Sequence, residues 1–341
     1  LSLDQPPPPT PHISMPSPFP ASSSAPGEGH IIAALQPHGI TALTKVTYQY
    51  PLKLISPSPT SYQKSVLAFL LTYGGGLVGG DQVNLVIDVK EGAKLSIVTQ
   101  GHTKVFKSAS RDVVTRQTLE VNVEKNASLC LLPDPVQPFE ESVYEQKQIF
   151  KVGEGANICL LDWISAGRTA RGEKWDFTSW KGRNEIWGGG RLLLRDNVII
   201  EGDIEGDQRA GTLSLKGKMH ELSLFGTLAL KGPKLEGLAD FMMKEFTSLP
   251  RIGARDFRSQ AAKDQASSVE LSEEAKWRKV RLEREKKDGI LWSAAKMRGC
   301  TVVKFGAVAV EGGRHWIGDM VRREGSVLEV FGDDAAMCIH E

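Results

Sequence analysis

Three stretches of this chain read as copies of one short unit, and no other feature restricts its fold as much. They are Glu91-Gly-Ala-Lys-Leu-Ser-Ile-Val-Thr99, Lys125-Asn-Ala-Ser-Leu-Cys-Leu-Leu-Pro133 and Gly153-Glu-Gly-Ala-Asn-Ile-Cys-Leu-Leu-Asp162. Each is a Gly-Ala or Asn-Ala turn followed by an apolar strand. Aligned on Gly92, Asn126 and Gly155, the copies lie 34 and 29 residues apart, as stacked supersecondary units do. Side chains alternate along a strand, so Leu95/Ile97, Leu129/Leu131 and Ile158/Leu160 should form one ladder. Ser96, Cys130 and Cys159 then fall on the opposite face, as small packing residues.

The surrounding text agrees. Val83, Leu85, Ile87 and Val89 recur with a period of two, as do Leu119, Val121 and Val123, with Gly, Asn and Pro as breaks. Strand character runs from Ala42 to about Ser165 and resumes between Lys181 and Lys231. Gly237 to Thr247 is the first helical stretch. Ser267 to Lys287 is a second, rich in helix formers and in i,i+4 charge pairs such as Glu274 with Arg278, and reads as a mostly solvated insertion. Strand-like text returns at Cys300–Phe305 and Ala307–Val310. The expected fold is mainly β, an elongated stacked-sheet or β-solenoid-like scaffold with a few peripheral helices. Residues 30–341 form one domain with a charged helical insertion at about 262–290. Half of the 18 prolines lie in the first 26 residues, so residues 1–29 are expected to be a disordered Pro/Ser-rich tail.

Composition removes several function classes. Lysine plus arginine number 42 against 41 aspartate plus glutamate, a net charge of +1, which supplies no basic field for nucleic acid or an anionic membrane. No apolar run is long enough to span a bilayer. The visible start has no basic region followed by an apolar block, so no secretory leader is expected and a cytoplasmic location is. Cys130, Cys159, Cys300 and Cys338 form no CxxC pair, and none of the seven histidines pairs with another at helical spacing, so no stable metal site is expected.

Gly74, Gly76 and Gly79 satisfy a GxGxxG pattern, but the text after Asp81 is a strand, whereas a dinucleotide site needs a helix N-terminus there. Gly74, Gly75, Gly76, Gly79 and Gly80 read instead as a structural turn needing positive φ or close backbone approach. Asp134, Glu140, Glu141 and Glu145 lie around a Pro-rich turn and supply the alternative reading, a β-solenoid polysaccharide hydrolase using paired carboxylates. Gly167-Arg-Thr-Ala-Arg-Gly-Glu173 fits either an anion-binding loop or a loop knitted by its own Arg–Glu pairs. No nucleophile elbow or Ser/His/Asp signature is present.

Three blocks together resemble the UreD (UreH) family of urease accessory proteins. Gly75-Gly-Leu-Val-Gly-Gly-Asp81 is similar to that family's PGGxVGGD stretch. Thr99-Gln100 with Thr103-Lys-Val-Phe-Lys-Ser108 is similar to TTQxxTKVYRS, with His102 between its halves. Leu132-Pro-Asp-Pro135 and Gly167–Glu173 are similar to its LPxP and GRxxxGE segments. The resemblance spans roughly Thr41 to Asp240. It implies a non-enzymatic cytosolic scaffold that binds UreF, through it the GTPase UreG, and apo-urease. Nickel is implied as a passenger in transit, passing through an internal tunnel and held weakly by oxygen ligands, with no tightly bound cofactor. Asp81, Gln100, Thr103, Lys104, Arg168, Arg171 and Glu173 are the candidates for tunnel or partner surfaces, each equally readable as a structural polar residue.

Overall fold

The computed structural model describes residues 25–58, 63–202, 214–249 and 272–339. Most of the proline-rich tail (1–24) and residues 262–271 of the charged insertion lie outside these. Regular structure begins in β1 (Glu28–Leu35), which pairs antiparallel with β2 (Thr41–Tyr48), and β3 (Leu52–Ile55) pairs likewise with β4 (Val66–Thr72). The short β5 (Gly76–Leu77) follows the glycine turn. The chain then climbs in rungs. β6 (Gln82–Val89) and β7 (Lys94–Val98) form the first, and β8 (Thr103–Val105) is the step to the second. β9 (Thr115–Val123) and β10 (Ser128–Leu131) form the second, and β11 (Val136–Pro138) leads to the third, β12 (Val143–Val152) and β13 (Asn157–Ser165).

Each rung contributes its first strand to one sheet and its second to another. Between the two, the chain turns at Gly92, Asn126 and Gly155, all with φ between 56° and 69°, a region open to Gly and Asn at low cost. The following Ala93, Ala127 and Ala156 are buried, so nothing larger fits at that corner. Leu95 pairs with Leu129 and Leu129 with Ile158, while Ser96, Cys130 and Cys159 line up one position on. The expected ladder and its opposite face are therefore both present.

The first sheet is completed by the hairpin β14 (Ser179–Gly188) and β15 (Arg191–Glu201), and its order is β15-β14-β12-β9-β6-β1-β2. The second is extended antiparallel by β16 (Leu224–Lys231), β17 (Leu291–Met297) and β18 (Cys300–Ala307) to the order β17-β18-β16-β13-β10-β7-β4-β3. Parallel repetition in both sheets is thus confined to the middle of the chain and closed off by antiparallel hairpins. The result is a mainly β stack of sheets with no closed barrel, and the solenoid-like shape is not borne out.

Two cores result. Leu95, Ile97, Leu129, Leu131, Ile158 and Leu160 belong to the core between the sheets, each burial contributing about 1.5–3 kcal/mol. Cys130 and Cys159 sit in a second core, between the second sheet and a layer of helices. Those helices follow α1 (Leu215–Lys218) and are α2 (Glu236–Thr247), α3 (Glu273–Lys287), α4 (Val310–Glu324) and α5 (Ser326–Phe331), ending in a 3-10 segment, Asp333–Ile339. The C-terminal end of α5 is tied down by Lys64 Nζ to Leu328 O (3.2 Å), Ser65 Oγ to Phe331 O (2.7 Å) and Lys94 Nζ to Val330 O (3.3 Å). These donors satisfy carbonyls that a helix end leaves open.

Two expectations need correction. The charged insertion helix is mostly exposed as expected, but the expectation missed that Arg281 and Glu285 are buried in it. The strand-like reading of Ala307–Val310 also fails, since β18 ends at Ala307 and Val310 opens α4. Glycines on the packed side of α4 conceal its apolar stripe from a periodicity reading. They are there because backbone approaches closely: a Cβ on Gly318 would lie 2.1 Å from Ile339 O. Gly318→Ala should therefore expel the C-terminal 3-10 segment from α4 and cost about 1–3 kcal/mol, typical of overpacking. Equilibrium unfolding measures that cost, and limited proteolysis should show new cleavage after residue 332. An unchanged midpoint would mean the segment does not pack on Gly318.

Candidate functional site: a cleft against a polar cavity

The glycine turn rises from the end of β4. Gly74, Gly75 and Gly80 adopt positive φ of 71°, 74° and 92°, whereas Gly76 and Gly79 lie against Lys104 O and Lys107 O with no room for a side chain. Asp81 closes the turn by accepting from Val78 N at 2.8 Å. The strand β6 follows directly, where a dinucleotide fold would need a helix.

β5, β8 and β11 then pair side by side, with Gly76 opposite Lys104, Thr103 opposite Val136, and Val136 opposite Ile164 of β13. The loop after β13 continues this strip. Gln137 Nε2 donates to Gly167 O (3.2 Å), and the Arg168 guanidinium lies 4.1 Å from the centre of the Phe139 ring. Blocks of sequence separated by tens of residues thus form one band. Within it Arg168 grips Glu173 with two donors, one at 2.8 Å from Nε, and Arg171 is exposed on the turn Thr169–Arg171.

Beside this band is an open cleft of about 270 Å³, lined by Lys53, Tyr73, Gly74, Gln100, His102 and Thr103 among others. Adjoining it is a small cavity of about 30 Å³, room for about one water. Leu70, Thr99 and Thr103 wall both spaces. Of the residues singled out in the sequence, Gln100 and Thr103 meet here, whereas Asp81, Lys104, Arg168, Arg171 and Glu173 do not line either space.

The cavity wall is polar at positions the sequence reading missed. Gln117, Gln146, Gln148 and Asp162 all contribute, beside Asp134, which the sequence had already offered as a candidate carboxylate. Asp162 accepts from Gln146 Nε2 at 2.8 Å and from Asn184 Nδ2 at 2.6 Å. Gln146 Oε1 accepts from Tyr144 OH (3.1 Å), and Asn184 Oδ1 from Gln148 Nε2 (3.0 Å). Burial pushes the Asp162 carboxyl above the usual carboxylate range, outweighing the two amide donors that hold it down. Nearby, Asp196 accepts from Lys304 Nζ (2.6 Å) and Thr227 Oγ1 (3.0 Å). Asp134 is the second carboxylate of the wall, but Arg314 of α4 holds it at 2.9 Å. Burial also keeps the His102 imidazole below its ordinary pKa, against the pull of Asp134.

A signal for these residues was present. Gln146 and Gln148 stand in phase with Tyr144 and Phe150 on the inward face of β12, and Asp162 stands in phase with Leu160 and Ile164 on β13. Polar residues in register with a core ladder mark a wet interior.

Comparison with known proteins decides the family. A family profile described as "UreD urease accessory protein" matches residues 27–336. The chain belongs to the UreD family. Among its relatives is a fission yeast (Schizosaccharomyces pombe) "uncharacterized urease accessory protein ureD-like", 33% identical over 308 residues that cover 88% of this chain and 91% of the relative. "Urease accessory protein D" of Oryza sativa subsp. indica is 35% identical over 219 residues, 64% of this chain and 69% of the relative. A bacterial "urease accessory protein UreD", from Sorangium cellulosum, is 35% identical over 205 residues, 60% of this chain and 62% of the relative.

The hydrolase alternative gains nothing from the structure of this UreD-family chain. Asp134 is paired with Arg314, Glu141 with Lys107, and Glu145 with Arg116 and Lys181. Only Glu140 of the four is left exposed without an ion pair in this set, and retaining or inverting chemistry needs two opposed carboxyls. Among the described residues, no three His, Cys, Asp or Glu side chains converge to hold a metal, and no helix is long and apolar enough to cross a membrane.

Proposed function

We propose that this chain serves urease maturation as a non-catalytic scaffold in the cytoplasm. In this reading it binds UreF, through it the GTPase UreG, and apo-urease, and nickel crosses it on the way to the urease active site. One observation carries the passage: the cleft at Gln100, His102 and Thr103 shares its wall with a small polar cavity lined in part by Asp162. Carboxylate and amide oxygens bind a hard-to-borderline divalent cation without the grip of thiolates or clustered imidazoles. A carrier must release what it holds, so weak oxygen ligation suits transit better than a closed site. Burial raises the Asp162 pKa, which eases exchange of its proton for the passing cation and recovery of the proton afterwards.

The test is co-expression of urease with its cognate UreF and UreG in nickel medium, with and without this chain. Ammonia release and the nickel content of purified urease are read from the same samples. Both should depend on the chain. Equal nickel content in its absence, with all partners soluble, would overturn the reading.

A further inference from the structure

Two tyrosines stand on the surface where the proline-rich segment leaves the fold. Tyr50 precedes β3 and is 59% exposed, and Tyr73 follows β4 and is 41% exposed. Their ring centres are 5.8 Å apart and the planes are tilted by 41°. Backbone pairing fixes the two together, since Tyr73 N donates to Pro51 O at 2.9 Å. Lys53 Nζ lies 5.5 Å from the centre of the Tyr73 ring and brings a cation to the same place. Exposed, rigidly held aromatic rings are what proline-rich segments dock on. Pyrrolidine rings pack on the flat faces, and a polyproline II backbone, already extended, loses little freedom on binding.

Chain geometry names the occupant. Gly27 is buried with a φ of 78°, its amide donates to Tyr50 O at 2.7 Å, and a Cβ there would lie 1.7 Å from Gln82 O. The chain therefore leaves the fold at a fixed point in direct contact with Tyr50. Further out lies Pro6-Pro-Pro-Pro-Thr-Pro11, which holds the longest proline run of the sequence. The residues that join this run to Gly27 span about 20 Å as a flexible coil, enough to bring it back to the tyrosines. A tether of that length holds it there at an effective concentration on the order of 1 mM. Asp4, the only carboxylate among residues 1–24, stands beside the run and complements Lys53. We propose that residues 6–11 dock on Tyr50 and Tyr73 as an extended segment, with Asp4 toward Lys53. Lys53 and Tyr73 also line the open cleft, so the docked segment lies along one side of it.

The test is fluorescence anisotropy of a labelled synthetic peptide, residues 1–20, titrated with the purified full chain. Wild type should bind it weakly, because the chain's own segment holds the site. Replacing Pro6, Pro7, Pro8 and Pro9 together by serine in the full chain should free the tyrosines and tighten peptide binding about tenfold or more. Adding Lys53→Glu to that variant should weaken it about threefold, the size of one exposed ion pair. Adding Tyr50→Ser and Tyr73→Ser should abolish the gain. Equal binding by wild type and the proline variant, or a gain that survives loss of both tyrosines, overturns the proposal. Wild-type dimers that the proline variant lacks in sedimentation place the segment on a second copy, and overturn docking within one chain. Should the serine pair misfold by circular dichroism, Tyr50→Leu with Tyr73→Leu takes its place, removing the flat rings while keeping apolar bulk. These readouts need neither urease nor nickel, so they are independent of the maturation assay.

Discussion

Glu245→Ala should cost this protein about 3–5 kcal/mol, the range for breaking a buried ion pair from one side. Glu245 lies on α2 with a fully buried side chain and takes Arg278 at 2.8 and 2.5 Å and Arg281 at 3.0 Å, both from α3. Arg281 in turn reaches Glu285, which accepts from Trp316 Nε1 at 2.8 Å. The Arg281 guanidinium lies 5.4 and 5.8 Å from the ring centres of Trp277 and Trp292. Removing the carboxylate leaves Arg281 between two tryptophans with Glu285 as its remaining partner, and Arg278 with Glu274 alone. Burial alone would raise the Glu245 carboxyl, but Arg278 and Arg281 outweigh it and leave the pKa lowered. The stability it contributes is therefore present above the ordinary carboxylate value and is lost as pH falls through the lowered folded value. Urea unfolding of the single variant and of Glu245→Ala/Arg278→Ala measures both terms, and the double should cost less than the sum of its singles. A loss below about 1 kcal/mol would mean the arginines reach water in solution, as exposed pairs do.

Asp162→Leu should impair nickel delivery and flatten the pH dependence of stability. Nickel loading of urease in the co-expression assay should fall by about tenfold or more, because a cation in a poorly solvated cavity loses the counter-charge that no arginine already covers. Stability should fall by about 1–3 kcal/mol where Asp162 is protonated, because the buried Gln146 and Asn184 amides lose their acceptor. Burial raises the Asp162 pKa, so the group's contribution is complete below the ordinary carboxylate value and declines as pH rises through the raised folded one. Asp162→Leu removes that decline, so its urea midpoint should change less with rising pH than the wild type's. Unchanged nickel loading in a folded Asp162→Leu protein would remove Asp162 from the passage.

Much of the β framework was legible because its signals are local. The turns at Gly92, Asn126 and Gly155 announce a left-handed backbone, and the alternating Leu and Ile beyond them announce a one-sided ladder. Helix α2 was legible for the same reason. Helix α4 was not, since Gly312, Gly313 and Gly318 stand where apolar side chains would normally mark the buried stripe. The site was half legible. Resemblance pointed to Gln100 and Thr103, which line the cleft, but also to Arg168 and Glu173, which grip each other. Gln146, Gln148 and Asp162 were overlooked, since a polar residue in a strand acquires meaning only from what lies opposite.

The sequence by itself determined the strand rungs, their register and the turn geometry, because each follows from sterics and side-chain alternation within a few residues, and its motif blocks carried the resemblance to the UreD family. Tertiary structure alone decided which carboxylates are covered. Asp134 meets Arg314 across 180 positions, and Glu245 meets Arg281 across 36, with no local signal for either. Desolvation is the physical reason: the free energy of a charge depends on everything packed around it, and that surrounding exists only once sheets and helices have come together.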